Sequence, residues 1–591
     1  MSLVGKLTRA LREEGVAASA EKVAGYLRRW QDERRSAKLD CYTEADFRAQ
    51  RAAEFSPAYC ISIIVPLYNT PLNFLREMVA SVQGQTYSNW QLCLADGSDA
   101  DHGEVEQFCH TAAEQDSRIC YQRLAKNEGI SGNTNAALAL STGEYIALLD
   151  HDDLLHPAAL YEVMQAITAQ GADFVYTDEN TFHNTPKDAF SPNYKPDFAP
   201  DTLRSYNYIC HLTVFARKLM DKVGVFRSAC DGSQDYDLIL RLTEQAEKIV
   251  HVPHVLYYWR ASEQSTAADI SAKPYVMAAA KKALGDHLER VGLTGEVLDS
   301  AVPSTYRIRY ALQGEPLISI LIPSCDHWET LKRCVDSILE KSTYRKFEII
   351  IIENNSAQQE TFAYYKTLEN QPQVRVIYWQ DKFNYSAINN FGASHAKGDY
   401  FLLLNNDVSV ITPEWLEEML MFAQRDEVGA VGALLYYPSD KVQHAGIIVG
   451  IGGVAENAFK NTRRGDFGYM SRLSIAQNLS AVTAACLLVS RKAYEQVGGL
   501  DEGFEVAFND VDFCMQLRKA GYLNVFTPYA QLYHYESESR GAENTPEKRK
   551  RFQGEIARFQ TRWQAELSAG DPYYNPNLSL RSTDFRPKNT K

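Results

Sequence analysis

The chain has 591 residues, with 61 lysines and arginines against 75 aspartates and glutamates, a net charge of -14 and a hydrophobic fraction of 45%. That length predicts two or three domains, and the apolar content suits large packed cores rather than a disordered chain. The acidic balance gives no support to broad nucleic-acid binding, the 11 cysteines without CxxC spacing point to a reduced, cytoplasmic chain, and no run reaches the roughly 20 apolar residues of a spanning helix or forms a signal-peptide core.

Residues 1–55 read as a helical N-terminal extension with Leu, Val and Ala at helical spacing. Its cations Lys6, Arg9, Arg12, Arg28, Arg29, Arg34 and Arg35 could rest on anionic lipid as a peripheral membrane contact. Acidic residues are mixed among them, so a solvated face or a dimer contact stays open. A buried-type strand follows in YCISIIVPLYNT (59–70), then an amphipathic helix from Leu72 to Gln83, then the strand WQLCLAD (90–96), which ends on Asp96. Further on come GEYIALLDHDD (143–153), QDYDLILRL (234–242) and LYYWR (256–260).

After a connector at 285–316 the same order returns. PLISILIPSCDH starts at Pro316, a helix runs from Glu329 to Glu340, and FEIIIIE (347–353) ends on Glu353. Pro66 and Pro323 differ by 257 positions, GEYIALLDHDD and GDYFLLLNNDV by 255, and QDYDLILRL and NDVDFCMQL by 275. Ordered matches with small drifts are what a duplication with loop insertions leaves. Alternating strand and helix predicts an α/β fold: two tandem, mostly parallel sheets, at 56–284 and 317–545, with ligands beyond the C-terminal strand ends. Residues 546–591 are expected to form a charged helix at 546–569 and an irregular tail, DPYYNPNLSL.

The strand-end acids carry the first chemistry. Asp150 and Asp152 flank His151 in LLDHDD, whereas the second half keeps Asp407 after Asn405 and Asn406. Carboxylates there can hold a hard divalent ion that also takes diphosphate oxygens, and the duplication favours this role for Asp152 and Asp407. Asp99 and Asp101 read as turn residues. Asp235-Tyr236-Asp237 and Asp510-Val511-Asp512 each follow an amide side chain and open a helix, so helix capping explains one aspartate of each pair. The other could act as a general base on a hydroxyl. His534 is a candidate metal or phosphate contact opposite Tyr258, and Arg260 and Arg540 follow as candidate diphosphate contacts. The GxGxxA run from Gly450 to Ala455 is set aside as a dinucleotide site, because a polar segment and Gly465 follow where an apolar helix is needed.

Taken together, these motifs make each half resemble a family 2 glycosyltransferase with the GT-A nucleotide-sugar-binding fold. The resemblance covers about 57–265 and 317–541, on VPLYN, Asp96, GEYIALLDHDD, QDYD and YYWR, then IPSCD, IIENNS, FNYSAINN, LLLNND, NDVD and HYESESRG. FNYSAINN and DPYYNPNLSL are similar to bacterial enzymes of O-antigen, capsule or rhamnose-polysaccharide synthesis. The resemblance implies nucleotide contacts from Pro66, Tyr68, Asp96, Asp150, Pro323, Glu353 and Asn405. It implies Mn2+ or Mg2+ on Asp152, Asp407 and His534, and catalytic bases in Asp235 and Asp510. It further implies inverting sugar transfer from a nucleoside-diphosphate donor, dTDP-rhamnose among them, to a lipid-linked or oligosaccharide acceptor. The alternative keeps one half as an acceptor-binding scaffold. Tyr258 in place of a metal-binding histidine makes the first half the weaker candidate, or one whose metal site is completed differently.

Overall fold

A computed structural model describes residues 42–261, 274–536 and 545–588. The basic face proposed between Lys6 and Arg35, and Arg540, lie outside the described residues.

Two large sheets form, and they share one strand order. In the first it runs Ile119–Arg123, Trp90–Asp96, Ile61–Leu67, Tyr145–Leu148, Thr213–Ala216, Phe174–Phe182, Ile249–Arg260, Leu154–Leu155. In the second it runs Val374–Tyr378, Phe347–Glu353, Ile318–Ser324, Tyr400–Leu404, Cys486–Ser490, Val428–Tyr436, Leu523–His534, Val408–Val410. The duplication inferred from sequence offsets is therefore a duplication of topology. The sheets are more mixed than expected. Their first four strands are parallel, but Thr213–Ala216 and Cys486–Ser490 run antiparallel to both neighbours.

Local sequence explains the repeated core. All seven residues of Ile61–Leu67 are buried, as a continuous apolar run requires in a sheet covered on both faces. The helix Leu72–Gln83 covers it with Leu75, Met78, Val79 and Val82, and Trp328–Lys341 repeats the spacing with Leu331, Cys334, Val335 and Ile338. Pro66 and Pro323 sit late in their strands. Pairing with Tyr145–Leu148 stops at Ile64, and pairing with Tyr400–Leu404 stops at Leu321. Beyond those points one edge of the central strand has no partner, so a residue without an N–H is tolerated.

Boundaries differ in detail from the sequence reading. The helix Pro274–Arg290 runs past residue 284, and the connector folds as a hairpin of Gly295–Asp299 with Tyr306–Tyr310. The C-terminal helix is two pieces, Pro546–Arg562 and Gln564–Ala569. At the N-terminal side, the helix Glu44–Ala52 docks on the first sheet's helices, with Thr86 donating to Gln50 Oε1 at 2.8 Å. The glycine run 450–453 is a tight turn whose Gly450, Gly452 and Gly453 have positive φ, followed by the strand Ala455–Asn457 and not by a helix.

The halves lock together through buried charge. Arg425 donates to both oxygens of Asp201 at 2.6 and 2.9 Å, Asn478 adds a bond at 2.8 Å, and Arg204 approaches at 3.3 Å. Burial alone would raise the Asp201 carboxyl, but the Arg425 charge and hydrogen bonds outweigh it and hold it well below the usual carboxylate range. Removing one partner of such a pair leaves the other charged and dry, so Asp201→Ala should cost about 3–5 kcal/mol in chemical denaturation. A carboxyl depressed by folding contributes above its ordinary pKa and loses that contribution only in strong acid. The penalty should therefore stay level across roughly pH 5 to 8.

Candidate functional site

In both halves the strand beside the central one ends in a turn that carries the acidic cluster. In the first half this turn, Asp150 to Asp153, is clamped by the strand Ile249–Arg260. The Tyr257 hydroxyl accepts from Asp150 N–H at 3.3 Å and donates to Asp153 Oδ2 at 2.6 Å. Arg260 N–H binds Asp153 Oδ1 at 2.7 Å. The Arg260 guanidinium donates to the Asp152 carbonyl at 2.6 Å and to Glu77 at 2.6 Å, between the Phe74 and Phe182 rings. Arg260 is buried, so here it shapes the acidic turn and does not reach out toward a diphosphate.

The groups brought together at this turn are not the set singled out in the sequence. Asp150, Asp153 and His211 offer ligand atoms that all lie within 4.8 Å of one another. Asp152 stands outside this group, 4.0 Å from His151 Nδ1. Burial, then the neighbouring Asp152 and Asp150 charges, push the Asp153 carboxyl well above its ordinary range. Asp150 opens to solvent on one side, yet it too is raised, by desolvation among these loops and by Asp152 and Asp235, against His211. Crowded carboxylates with a histidine suit a divalent cation, whose charge would relieve the repulsion. His211 stacks on Tyr257 with ring centroids 4.6 Å apart and brings an imidazole to the acidic turn, where the sequence pairing had offered only Tyr258. No local motif marks it. It reaches the acids only because Thr213–Ala216 pairs with Tyr145–Leu148 across the sheet.

The second half builds its version from strand pairing. Val408 faces His534 in the ladder, which brings His534 Nε2 to 3.2 Å from both Asp407 Oδ1 and Asn405 Nδ2. Asp407 and His534 are buried, and Asp407 Oδ1 and His534 Nδ1 have no hydrogen-bond partner. A buried carboxylate oxygen left without a donor beside an imidazole fits a cation ligand pair.

The helix-opening aspartates divide by role. Both pairs lie inside the first turn of their helices, Gln234–Gln245 and Asn509–Lys519, and the N-cap residues Ser233 and Phe508 make no side-chain cap bond. Neither pair occupies the N-cap position, although Asp510 Oδ1 accepts the first-turn Val511 N–H at 2.8 Å. Asp237 is fully buried between Arg227 and Arg241, and Asp512 is bound by the Trp563 indole at 2.8 Å and by Gln516 at 2.8 Å. These second aspartates anchor the helices. The first ones stay half-buried near the acidic turns. Asp235 Oδ2 accepts from Asn207 at 3.0 Å and contributes to raising Asp150. Asp510 Oδ2 accepts from Ala484 N–H at 3.1 Å, and burial raises its carboxyl despite bonds from Ala484 and Thr483. Tyr385 links the Ala484 carbonyl at 3.0 Å to Asn405 at 3.5 Å, so Asn405 and Asp510 share a wall.

At the other strand ends, Asp96 and Glu353 are buried and satisfied by the following loop and by a neighbouring strand or helix. Asp96 binds Ser98 N–H, Tyr121 and Arg123, at 2.8, 3.0 and 2.7 Å. Glu353 binds Ser356 twice, at 2.5 and 2.7 Å, and Tyr365 at 2.5 Å. Their lone pairs are mostly taken. Tyr68, beside Pro66, is exposed and donates to Asp99 at 3.0 Å, which makes Asp99 a turn residue as expected.

Each of the two α/β units thus carries an acidic turn at a strand end and a carboxylate at a helix start. Residues 62–224 and 319–498 match the Glycosyl transferase family 2 domain, and the chain belongs to that family. It is 45% identical over 533 residues to an uncharacterized protein, y4gI, of Sinorhizobium fredii, covering 89% of this chain and 58% of that one. It is 37% identical over 540 residues to the O-antigen biosynthesis protein RfbC of Myxococcus xanthus, covering 91% of this chain and 42% of that one. The chain thus spans about half the length of these relatives. A mannosyltransferase from Pyrobaculum calidifontis, solved with GDP-Man and Mn2+, overlays on 45% of this chain and 68% of its own, with 14% identity and a TM-score of 0.33.

The clamp on the acidic turn is open to direct test. Tyr257→Phe removes the hydroxyl that joins Asp150 to Asp153 and strips a buried carboxylate of its donor. A loss of about 1–3 kcal/mol in denaturant unfolding is expected, with no change in secondary structure by circular dichroism.

Proposed function

We propose that the chain is an inverting glycosyltransferase with a reaction centre in each half, moving sugars from nucleoside-diphosphate donors onto a growing bacterial surface polysaccharide. One observation supports two centres: the same topology twice places a half-buried aspartate at a helix start beside an acidic strand-end turn. The polysaccharide setting rests on the O-antigen relative, and a rhamnosyl donor rests on motif resemblance alone.

In this reading Asp235 and Asp510 take the proton from an acceptor hydroxyl as its oxygen attacks the anomeric carbon. The C1–O bond to the diphosphate breaks as the new glycosidic bond forms, a single displacement that inverts the centre. Burial that raises Asp510 suits a base working near neutrality. Asp150, Asp153 and His211 would hold a divalent ion in the first half, with Asp152 alongside; Asp407, His534 and Asn405 would do so in the second. Mn2+ or Mg2+ bound there would supply charge against the departing diphosphate. The loops around Asp96 and Glu353 would receive the base. No helix among the described residues is long and apolar enough to cross a membrane. A lipid-linked acceptor would then be met from the membrane surface.

The test is a screen of nucleotide sugars for nucleoside-diphosphate release, with and without Mn2+, on the unaltered chain, Asp235→Asn, Asp510→Asn and the double variant. Each single variant should lose its own half's release by roughly 10²–10⁴-fold, and the double variant should retain neither. Chelation should silence both halves. Full release by Asp235→Asn would reduce the first half to a scaffold, and full release by the double variant would sink the assignment of the bases.

A further inference from the structure

The tail DPYYNPNLSL has no part in the chemistry above, yet it is among the most buried polar segments of the molecule. Asp571, Tyr573, Tyr574, Asn575, Asn577, Leu578 and Ser579 are all buried. It grips both halves. Asp571 accepts from Ser480 Oγ at 2.5 Å and from Val449 N–H at 2.8 Å in the second half. Four residues later, Asn575 donates to Asp178 Oδ2 at 2.8 Å and to the Lys195 carbonyl at 3.0 Å in the first. Between and beyond them, the Pro572 carbonyl accepts from Asp197 N–H at 2.7 Å, and Asn577 donates to the Pro253 carbonyl at 2.8 Å.

From Asn575 a chain of fully buried groups leads to the first candidate site. Asp178 Oδ1 takes Lys195 N–H at 2.9 Å and lies 2.9 Å from His251 Nε2. Lys195 is completely buried, and its ammonium has three protons and three acceptors: Glu179 at 3.2 Å, the Ile209 carbonyl at 2.7 Å, and the His211 carbonyl. Glu179 closes the circuit by accepting His211 N–H at 3.3 Å. The backbone on both sides of Cys210, whose φ is +34°, is thereby pinned. That short segment carries His211 into the acidic group and sets Asn207 and Cys210 against Asp235. A buried ammonium spent wholly on two carbonyls and one carboxylate is costly to desolvate, and such a circuit persists where it fixes a particular geometry.

We propose that the tail is a strap between the halves, and that Asn575 and Lys195 are positioning residues that set segment 207–211 and through it His211 and the partners of Asp235. This rests on the reading of Asp235 as a base and of His211 as a ligand. The strap itself is testable without that reading.

The experiment uses the full chain carrying Asn575→Ala, with Asn577→Ala as the comparison, since Asn577 holds the same strap but does not touch Lys195 or Asp178. Hydrogen exchange is followed in the protein without donor or metal. Amides of 207–213 should exchange roughly tenfold faster in Asn575→Ala and not in Asn577→Ala, while Ile61–Leu67 and Ile318–Ser324 stay protected. Nucleotide release is then read in two backgrounds, Asp510→Asn for the first half and Asp235→Asn for the second. Asn575→Ala should lower the first-half rate by roughly 10–100-fold with little change in donor KM, raise the Mn2+ needed for half-activity, and spare the second half. Asn575→Ser, which keeps a shorter donor, should shift both measurements the same way by less, and it serves if the alanine variant is insoluble. Unchanged exchange at 207–213, equal loss in both halves, or equal effects of the two alanine variants would overturn the strap's positioning role. If neither background releases nucleotide before the tail is altered, the catalytic reading fails and the exchange comparison alone decides the strap.

Discussion

The molecule depends on where one ladder stops. The central strand of each sheet pairs with its neighbour only as far as Ile64 and Leu321, then continues with a partner on one side alone. That divergence makes room at the C-terminal ends, admits Pro66 and Pro323, and turns the neighbouring strand into an acidic loop. Open α/β sheets bind ligands in the crevice where the strand order changes direction, and the acidic turns of both halves stand at that point.

The two crevices solve the same electrostatic problem by different means. The first concentrates three aspartates in four residues and meets their repulsion with buried hydrogen bonds from Tyr257 and Arg260, and with His211. At the matching positions the second half has Asn405 for Asp150, Asn406 for His151 and Val408 for Asp153, so only Asp407 carries charge, and His534 stands against it. Fewer charges need fewer clamps: Asn405 meets His534 with a neutral amide where the first half binds its acids to a tyrosine and an arginine. The same architecture therefore tolerates turns that differ in net charge, because in each half a strand packed behind the turn helps to hold it.

What the sequence disclosed follows from interaction range. Central strands, the helices Leu72–Gln83 and Trp328–Lys341, and the internal repeat were legible because apolar periodicity and ordered offsets are local signals. The acidic turns were legible because they sit at strand ends. His211 and Lys195 were not, since each gains meaning only through pairing across the sheet, between Thr213–Ala216 and Tyr145–Leu148 and between 195 and 178. Arg260 was legible as a cation near the site, but its burial came from Phe74, on a helix nearly two hundred positions earlier, and from Phe182 on the paired strand. The aspartates opening Gln234–Gln245 and Asn509–Lys519 looked like caps because a cap is the local use of that residue, whereas their partners, Arg227 and Trp563, come from outside the helix.

A duplicated enzyme could have left its halves on a flexible tether, and here charge argues against that. Arg425 and Asp201 are both almost wholly desolvated, and a hydrophobic contact of the same size would hold two surfaces at least as well. What an ion pair adds is intolerance of misplacement: a bidentate guanidinium that slides by one bond length leaves two buried charges unpaired. Asn478 reaches the same carboxylate across the boundary, and Asn575 repeats the principle at the tail, its amide bound by Asp178 of the first half. Interfaces built this way specify one relative placement, and specificity of placement matters when the end of one half's chain holds up the reactive segment of the other.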